Sequence, residues 1–118
     1  MFNTFSIKDD NTFKKLINKG NWYGGNYIVL YVLQNDSDKN YLGFGVSKKV
    51  GKAFKRNQVK RLIRESYKNI EGNIKFGFNL LFVCKSKSNF DNITFSDINR
   101  DVNYLLKKAG ILIEENSN

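Results

Sequence analysis

The stretch KKVGKAFKRNQVKRLIR, at residues 48–64, holds eight of the chain's 20 Lys and Arg residues and none of its 11 Asp and Glu residues. The remaining sequence is therefore nearly neutral, and this one segment accounts for almost all of the formal net charge of +9. Three of the four arginines also lie here, at Arg56, Arg61 and Arg64. Because a planar guanidinium group binds phosphate through two hydrogen bonds, this concentration indicates contacts with nucleic acid.

From residue 55 onward the stretch has the periodicity of an amphipathic helix, which is predicted to end near residues 71 and 72. At about 100° per residue, polar and basic side chains fall within about 140° of arc, opposite an apolar set. A solvated charged face is the common alternative, but such faces mix both signs of charge, and no carboxylate appears in this stretch before Glu65. We therefore interpret the polar side as a surface that binds a polyanion. The polar side comprises Arg56, Asn57, Lys60, Arg61, Arg64 and Lys68, and the apolar side Val59, Leu62, Ile63, Ser66 and Ile70.

The segment GFGVSKKVGKAFKRNQVKRLIRE, at residues 43–65, resembles the signature of the bacterial ribonuclease P protein subunit. In that family an apolar strand ends in Ser-Lys-Lys, and a short glycine-containing loop leads into a helix that opens with Arg-Asn-Arg. Here Ser47 precedes the two lysines and Arg56 begins the helical motif, but Gln58 stands where the family usually has its second arginine. Gln58 projects to about 200° on the helical wheel, outside the basic arc, so we expect its presence to cost little affinity.

The resemblance implies a protein subunit of ribonuclease P, a bacterial ribonucleoprotein endonuclease. Such a subunit binds the catalytic RNA and the 5′ leader of precursor tRNA, and it assists 5′ maturation in the cytoplasm. The RNA subunit and its Mg²⁺ would supply the chemistry, so the resemblance implies no catalytic residue, bound metal or cofactor in the protein, and neither a membrane nor a protein partner. The RNA-binding residues it implies are Lys48, Lys49, Lys52, Lys55, Arg56, Asn57, Lys60, Arg61 and Arg64.

The resemblance also implies a second surface, a cleft between the first helix and the sheet that holds the single-stranded leader. Phe13 and Tyr31 match aromatic positions of the family and would stack on unpaired bases, although aromatic residues at these spacings also fit an apolar core. The resemblance implies a third leader-binding residue, Ile17, which stands where many relatives have another aromatic residue. The N-terminal arm, which is basic in the family, carries little positive charge here, because residues 1–8 contain only one cation, Lys8.

The composition fits one folded, intracellular RNA-binding domain that spans residues 1–118. A hydrophobic content of 41% supports a core, while no apolar run is long enough to cross a membrane and no signal peptide follows Met1. Cys84 is the only cysteine and lies in an apolar run, which predicts a buried strand residue. The absence of histidine excludes His-based metal sites and His-based RNA cleavage, and the scattered acidic residues disfavour a metal-dependent nuclease site.

Two further helices are predicted from apolar periodicity. The first covers residues 8–19, with Ser6 and Asp9 at capping-box spacing. The last opens at Thr94 and ends at Gly110. A polar tail at residues 114–118 is expected to fray.

Strands are predicted where apolar, β-branched stretches lie between turn residues. These stretches are residues 26–33, 41–46 and 76–85, and the first two are expected to form a hairpin. The element order predicts an α+β fold: a two-layer sandwich in which three helices accompany a mainly antiparallel sheet of about four strands. The resemblance adds a left-handed βαβ crossover around the basic helix, as in certain ribosomal proteins.

Other functions remain open on the sequence alone. A ribosomal or general RNA-binding protein would use the same basic face. An independent protein nuclease is disfavoured because the residues for such chemistry are missing. A membrane-surface protein is also disfavoured, because the apolar side of the basic helix is short and the core requires it.

Overall fold

The structure is a computed structural model that describes residues 3–113. One sheet is built from β1 (Thr4–Ser6), β2 (Asn21–Gly24), β3 (Ile28–Gln34), β4 (Asn40–Gly45) and β5 (Phe78–Cys84). Three α-helices accompany it: α1 (Asp10–Lys19), α2 (Ala53–Ile70) and α3 (Phe95–Lys108). Short 3₁₀ turns at Lys48–Val50 and Glu71–Asn73 flank α2. The predicted polar tail and the first two residues of the N-terminal arm lie outside the described residues.

The sheet combines parallel and antiparallel pairing. Its strands follow the order β1, β4, β5, β3, β2. β4 pairs in parallel with both β1 and β5, whereas β3 pairs antiparallel with both β5 and β2. The predicted α+β class with three helices is confirmed, and most paired residues of the sheet are antiparallel, as predicted; the described sheet has five strands rather than about four. α2 connects the parallel neighbours β4 and β5 and so forms the predicted βαβ unit, whose left-handed sense stays a prediction.

The predicted hairpin between the strands at residues 26–33 and 41–46 is wrong, because β5 lies between β3 and β4. β5 is apolar on both of its faces. Leu80 and Phe82 are buried on one face and Leu81 on the other. A strand that must bury both faces is most stable at the centre of a sheet, so β5 takes that position and separates the two strands that follow each other in sequence.

The two edge strands, β1 and β2, were not predicted from the sequence because they carry little apolar periodicity. Thr4 is the only buried residue of β1. In β2 the residues are exposed except Tyr23, which is half-buried. Short edge strands of this kind are specified by pairing with a neighbour rather than by their own burial.

The two faces of the sheet pack against different helices. Ile28 and Leu30 of β3 are buried in a large apolar cluster to which α2 contributes Val59 and α3 contributes Ile98. Alternate residues of the strands point the other way, and on that face Leu16 of α1 completes a smaller cluster. α2 is therefore anchored to the sheet by one side, and α1 covers part of the opposite face.

α1 begins two residues later than predicted. Asp9 is its N-cap, and the Asp9 carboxylate accepts hydrogen bonds from the Thr12 N–H at 3.1 Å and from the Thr12 hydroxyl at 2.8 Å. Hydrogen bonds from Thr12 also lower the pKa of Asp9. Ser6 does not cap the helix as predicted, because it is the last residue of β1 and pairs with Leu42 of β4.

α3 matches its prediction at both ends. The Thr94 hydroxyl accepts from the Asp97 N–H at 3.1 Å, and the Asp97 carboxylate accepts from the Thr94 N–H at 3.1 Å, which completes a capping box. Gly110 follows the helix with a φ of 73°, a left-handed conformation that favours glycine. The local sequence thus fixes the bounds of α3 without help from distant contacts.

Candidate nucleic-acid interface

α2 separates its apolar and basic residues as the sequence predicts. Val59, Ile63 and Ser66 are fully buried, while Leu62 and Ile70 are half-buried at the margin of the core. On the opposite side the exposed residues are Asn57, Arg61, Arg64 and Lys68. The exposed cations of this helix therefore lie opposite its buried residues.

Tyr67 is a buried residue of α2 that the predicted apolar set lacks. Its side chain is fully buried, and its hydroxyl lies 2.9 Å from the Thr4 hydroxyl, within hydrogen-bonding distance. Burial raises the pKa of Tyr67. On the helical projection Tyr67 falls between Arg56 and Lys60, and these two cations are accordingly half-buried at the boundary of the core.

The turn that leads into α2 presents further cations. The Ser47 side chain accepts a hydrogen bond from the Lys49 N–H at 3.3 Å and caps the 3₁₀ turn Lys48–Val50. Lys48 and Lys49 are exposed. Gly51 has a φ of 154°, and a Cβ atom there would lie 3.0 Å from Cγ of Lys55, so glycine permits the sharp entry into the helix.

The N-terminus of α2 has an unusual cap. Lys52 occupies the N-cap position, its side chain makes no capping hydrogen bond, and the first turn contains no acidic residue. Helices commonly begin with Ser, Thr, Asp or Asn at this position. A lysine here instead places a positive charge beside the positive end of the helix dipole, which intensifies the local attraction for anions.

Arg64 combines exposure with a fixed position. Its guanidinium carbon lies 5.2 Å from the centroid of the Phe44 ring, a cation–π contact between α2 and β4. Such a contact at an exposed site contributes about 0.5–1 kcal/mol. Arg64 is thus partly oriented before it meets any ligand, a feature that the sequence did not reveal because Phe44 lies 20 positions away.

Cys84 is a structural residue rather than a nucleophile, as the sequence predicts. Its thiol is buried at the end of β5. Burial raises the pKa of Cys84 to about 12, although the positive charge of Lys60 acts in the opposite direction. This thiol is therefore almost entirely protonated at neutral pH. Because the thiolate is the reactive form of cysteine, Cys84 does not act as a nucleophile.

The second predicted surface lies on the other face of the sheet. Phe13 of α1 is half-buried and packs over Gly43 of β4, where an added Cβ would lie only 2.8 Å from Cε1 of the ring. Tyr31 of β3 is half-buried in the same apolar cluster. The structure therefore brings Phe13 and Tyr31 to one face, each with part of its ring in the core.

Ile17 differs from these two aromatic residues because 52% of its surface is exposed. It lies in the last turn of α1, and Gly20 alone separates that helix from β2. The neighbouring β2 presents Trp22, which is 67% exposed and pairs with Tyr31. Sequence reasoning missed Trp22 because residues 21–24 lack the apolar pattern of a strand; its signal was a pair of adjacent aromatic residues, Trp22 and Tyr23, in a polar and glycine-rich setting.

Two negative findings concern the described part of the chain. Within residues 3–113, no group of three or more His, Cys, Asp or Glu side chains is arranged to hold a metal ion. Over the same residues, no helix combines the length and the apolar character needed to cross a bilayer.

Comparison with known proteins identifies the family. The family model described as ribonuclease P matches residues 1–110. The chain belongs to the ribonuclease P protein family. A curated ribonuclease P protein component from Clostridioides difficile strain 630 is 40% identical over 111 residues, which cover 93% of this chain and 96% of the relative. A ribonuclease P protein component from Fusobacterium nucleatum is 35% identical over 109 residues, covering 91% and 98%.

Solved structures of the ribonuclease P protein share the fold. The Staphylococcus aureus RNase P protein superimposes with a TM-score of 0.82 at 28% identity, over 92% of this chain and 97% of that one. The Thermotoga maritima RNase P protein gives a TM-score of 0.78 at 27% identity, over 93% and 98%. The chain is accordingly an RNA-binding protein subunit of ribonuclease P, an endoribonuclease complex of tRNA 5′ maturation, and its partner is the ribonuclease P RNA.

Proposed function

We propose that the chain docks on the catalytic RNA of ribonuclease P through the outward side of α2 and the turn that precedes it. The observation that carries this proposal is the exposure of Arg61 and Arg64 on a helix whose opposite side is buried in the core. No acidic residue occurs in the sequence between Asp38 and Glu65 to neutralise this surface. We call the surface the basic segment: Lys48, Lys49, Lys52, Lys55, Arg56, Asn57, Lys60, Arg61 and Arg64.

The members of the basic segment have different roles in this proposal. Arg56, Arg61 and Arg64 bind phosphate groups through their guanidinium forks. Lys60 and the lysines of the preceding turn lower the electrostatic cost of approaching a folded polyanion. The Asn57 amide makes a directed hydrogen bond, because it donates and accepts where a cation can only donate.

The second part of the proposal concerns the precursor tRNA. Its single-stranded 5′ leader lies in the cleft between α1 and the sheet, where the exposed parts of the Phe13 and Tyr31 rings stack on unpaired bases. Ile17 contributes only apolar contact at the mouth of this cleft. Both surfaces belong to one RNA-binding domain, residues 1–118, which works in the cytoplasm.

The chain assists cleavage without performing it. The RNA subunit and its Mg²⁺ carry out the hydrolysis, while the protein binds the RNA and holds the leader. This division of labour fits a described chain whose Cys84 thiol is buried and protonated and whose acidic residues are dispersed.

The docking proposal is tested by replacing Arg56, Arg61 and Arg64 together with alanine. The triple variant should bind ribonuclease P RNA more weakly, and the slope of log K against log salt should flatten by about 0.7–0.9 for each phosphate group that the variant no longer binds. Filter binding across a salt series measures both quantities, and circular dichroism checks that the domain remains folded.

A matched control removes the same charge elsewhere. Lys87, Arg100 and Lys107 are exposed and lie outside the basic segment. Their combined replacement with alanine should reduce affinity less and leave the salt slope closer to the wild-type value. Equal reductions in affinity for the two triple variants would falsify docking through α2 and would indicate attraction by net charge alone.

A further inference from the structure

Trp22 is an exposed aromatic residue to which the docking and leader surfaces described above assign no role. It is the only tryptophan of the chain, it lies on the edge strand β2, and 67% of its surface is exposed. Single exposed apolar residues are common on protein surfaces and need no explanation by themselves. The position of Trp22 relative to other residues is what gives it significance.

The strand register places Trp22 in line with the proposed leader cleft. Trp22 pairs with Tyr31, Tyr31 pairs with Leu81, and Leu81 pairs with Gly43. Paired residues of adjacent strands point to the same face of a sheet. Trp22 and Tyr31 therefore lie side by side on the face that α1 covers in part, with their strands about 4.8 Å apart.

The indole ring lies along its own strand rather than in the core. Its Cζ3 atom lies 3.9 Å from the position of a Cβ atom added to Gly24, the next residue of β2 on the same face. Because glycine has no side chain, the ring rests on the backbone of the edge strand. Trp22 contributes to neither apolar cluster of the described chain. Its exposed surface is thus available to an outside partner.

The helix that precedes β2 in the sequence is rich in exposed cations. α1, which a single residue joins to β2, carries Lys14, Lys15 and Lys19, and all three are exposed. Asp10, at the far end of the helix, is the only acidic residue of α1. Proteins bind single-stranded nucleic acid by combining aromatic rings, on which bases stack, with cations that neutralise phosphates, and a cationic helix that leads into the strand of Trp22 fits this combination.

We propose that Trp22 is a stacking surface for an unpaired nucleotide of the precursor tRNA leader, one position beyond the nucleotide on Tyr31. The order of the strands indicates the direction in which the leader would cross the sheet. The basic segment follows β4, and β5, β3 and β2 succeed β4 across the sheet. A leader that crosses the α1 face outward from β5 therefore reaches Tyr31 on β3 before Trp22 on β2. This inference rests on the proposed leader cleft and extends it to the edge of the sheet.

The sequence offers a reason for an aromatic residue here. Ile17 occupies a position where the family resemblance leads us to expect an aromatic ring, and an isoleucine cannot stack on a base. Trp22 provides an exposed aromatic surface five positions later in the sequence, on β2 instead of α1. Since every base has a π-face, we expect recognition at this position to tolerate any leader sequence.

The first test uses the fluorescence of Trp22, the chain's only tryptophan. Titration of the full chain with an unstructured oligouridylate should quench its emission, because stacking on a base changes the environment of the indole. Oligouridylate at the same ionic strength should not quench free N-acetyltryptophanamide at matched concentrations. Emission that stays unchanged while the oligonucleotide binds would overturn the proposal.

The second test uses the assembled ribonuclease P RNA–protein complex. Precursor tRNAs with leaders lengthened one nucleotide at a time are compared for affinity with wild-type, Tyr31→Ala and Trp22→Ala subunits. Trp22→Ala should reduce affinity by about 5-fold to 140-fold, the effect of removing one base stack. The reduction should begin at a leader one or more nucleotides longer than the leader at which Tyr31→Ala takes effect, and Trp22→Phe should largely restore binding.

Controls separate this inference from the function on which it rests. Tyr104→Ala removes an aromatic residue that is 51% exposed on α3, and it should have no leader-dependent effect. Equal effects of Trp22→Ala on substrates with and without leaders would overturn the stacking role while leaving the docking proposal intact. Failure of the wild-type subunit to bind ribonuclease P RNA would instead reject the proposed function itself.

Discussion

Asp101 shows how much of the fold depends on one buried carboxylate. It projects from α3 and accepts hydrogen bonds from the backbone N–H groups of Asn26, Tyr27 and Ile28 at 3.0, 2.7 and 3.0 Å. A Cβ atom on Gly25 would lie 2.7 Å from its Oδ2 atom, so the turn before β3 wraps closely around the carboxylate. The carboxylate fixes the end of β3 that pairs with β2.

Asp101→Ala should destabilise the protein by about 3 kcal/mol, because the N–H groups of Asn26, Tyr27 and Ile28 would lose their shared acceptor, and the N–H of Ile28 is buried. Urea denaturation measures this change. Asp91, which is exposed, provides the control, and Asp91→Ala should change stability by less than about 0.5 kcal/mol. Similar unfolding midpoints for the two variants would contradict the role assigned to Asp101.

Gly43 controls how closely α1 approaches the sheet. Atoms Cε1 and Cζ of the Phe13 ring lie 2.8 and 3.0 Å from the position of a Cβ atom at Gly43. Gly43→Ala should therefore displace the ring and cost about 1–3 kcal/mol in urea denaturation. Gly72→Ala is the matched control, since no atom lies within 4 Å of its added Cβ.

A double-mutant cycle isolates this contact. In a Phe13→Ala background the ring is absent, so Gly43→Ala should cost less than it does in the wild-type chain. The same cost in both backgrounds would show that the Gly43 effect does not arise from the Phe13 ring.

At the scale of elements, the N-terminus of α2 lacks a stabilising side-chain cap, because Lys52 makes no capping hydrogen bond. Lys52→Ser introduces a side chain that accepts a hydrogen bond from the first turn and should stabilise the protein by about 0.5–1 kcal/mol. The same substitution removes a cation of the basic segment and should weaken binding to ribonuclease P RNA. Thermal unfolding and salt-dependent filter binding report the two effects separately. A variant that is no more stable, or one that binds RNA as tightly as the wild type, would contradict this account of Lys52.

The elements that sequence predicts well are those specified by their own residues. α2 and α3 carry apolar periodicity over many residues, and α3 also has its Thr94 capping box. β3 and β5 are long apolar strands, and their bounds agree with the prediction within a few residues. The pairing between strands could not be predicted in the same way, because the central place of β5 depends on contacts between residues far apart in sequence.

In the candidate site, too, features within one element could be predicted and contacts between elements could not. The basic residues of α2 could be assigned to one side of a helix from spacing alone. Arg61, Arg64 and Lys68 are exposed as predicted, whereas Lys55, Arg56 and Lys60 are half-buried. Contacts between elements could not be foreseen, such as Arg64 on Phe44 or Trp22 beside Tyr31. Trp22 was missed because its strand is recognisable only by its pairing with β3.

At the scale of the whole molecule, the sheet separates two surfaces of different chemistry. One face is sealed by α2 and α3, and the basic segment lies on the outer side of α2. The other face is only partly covered by α1 and presents half-buried or exposed aromatic residues. In the proposed function, the charged side would hold a folded RNA and the aromatic side an unpaired strand.

The most direct test of this account is reconstitution of precursor tRNA cleavage at a Mg²⁺ concentration at which ribonuclease P RNA alone is inactive. Adding the purified chain should restore formation of the mature 5′ end, whereas the Arg56, Arg61 and Arg64 triple alanine variant should require a much higher protein concentration. The chain without the RNA should produce no cleavage. A wild-type chain that binds the RNA but leaves its Mg²⁺ requirement unchanged would contradict the account and would indicate a general RNA-binding protein.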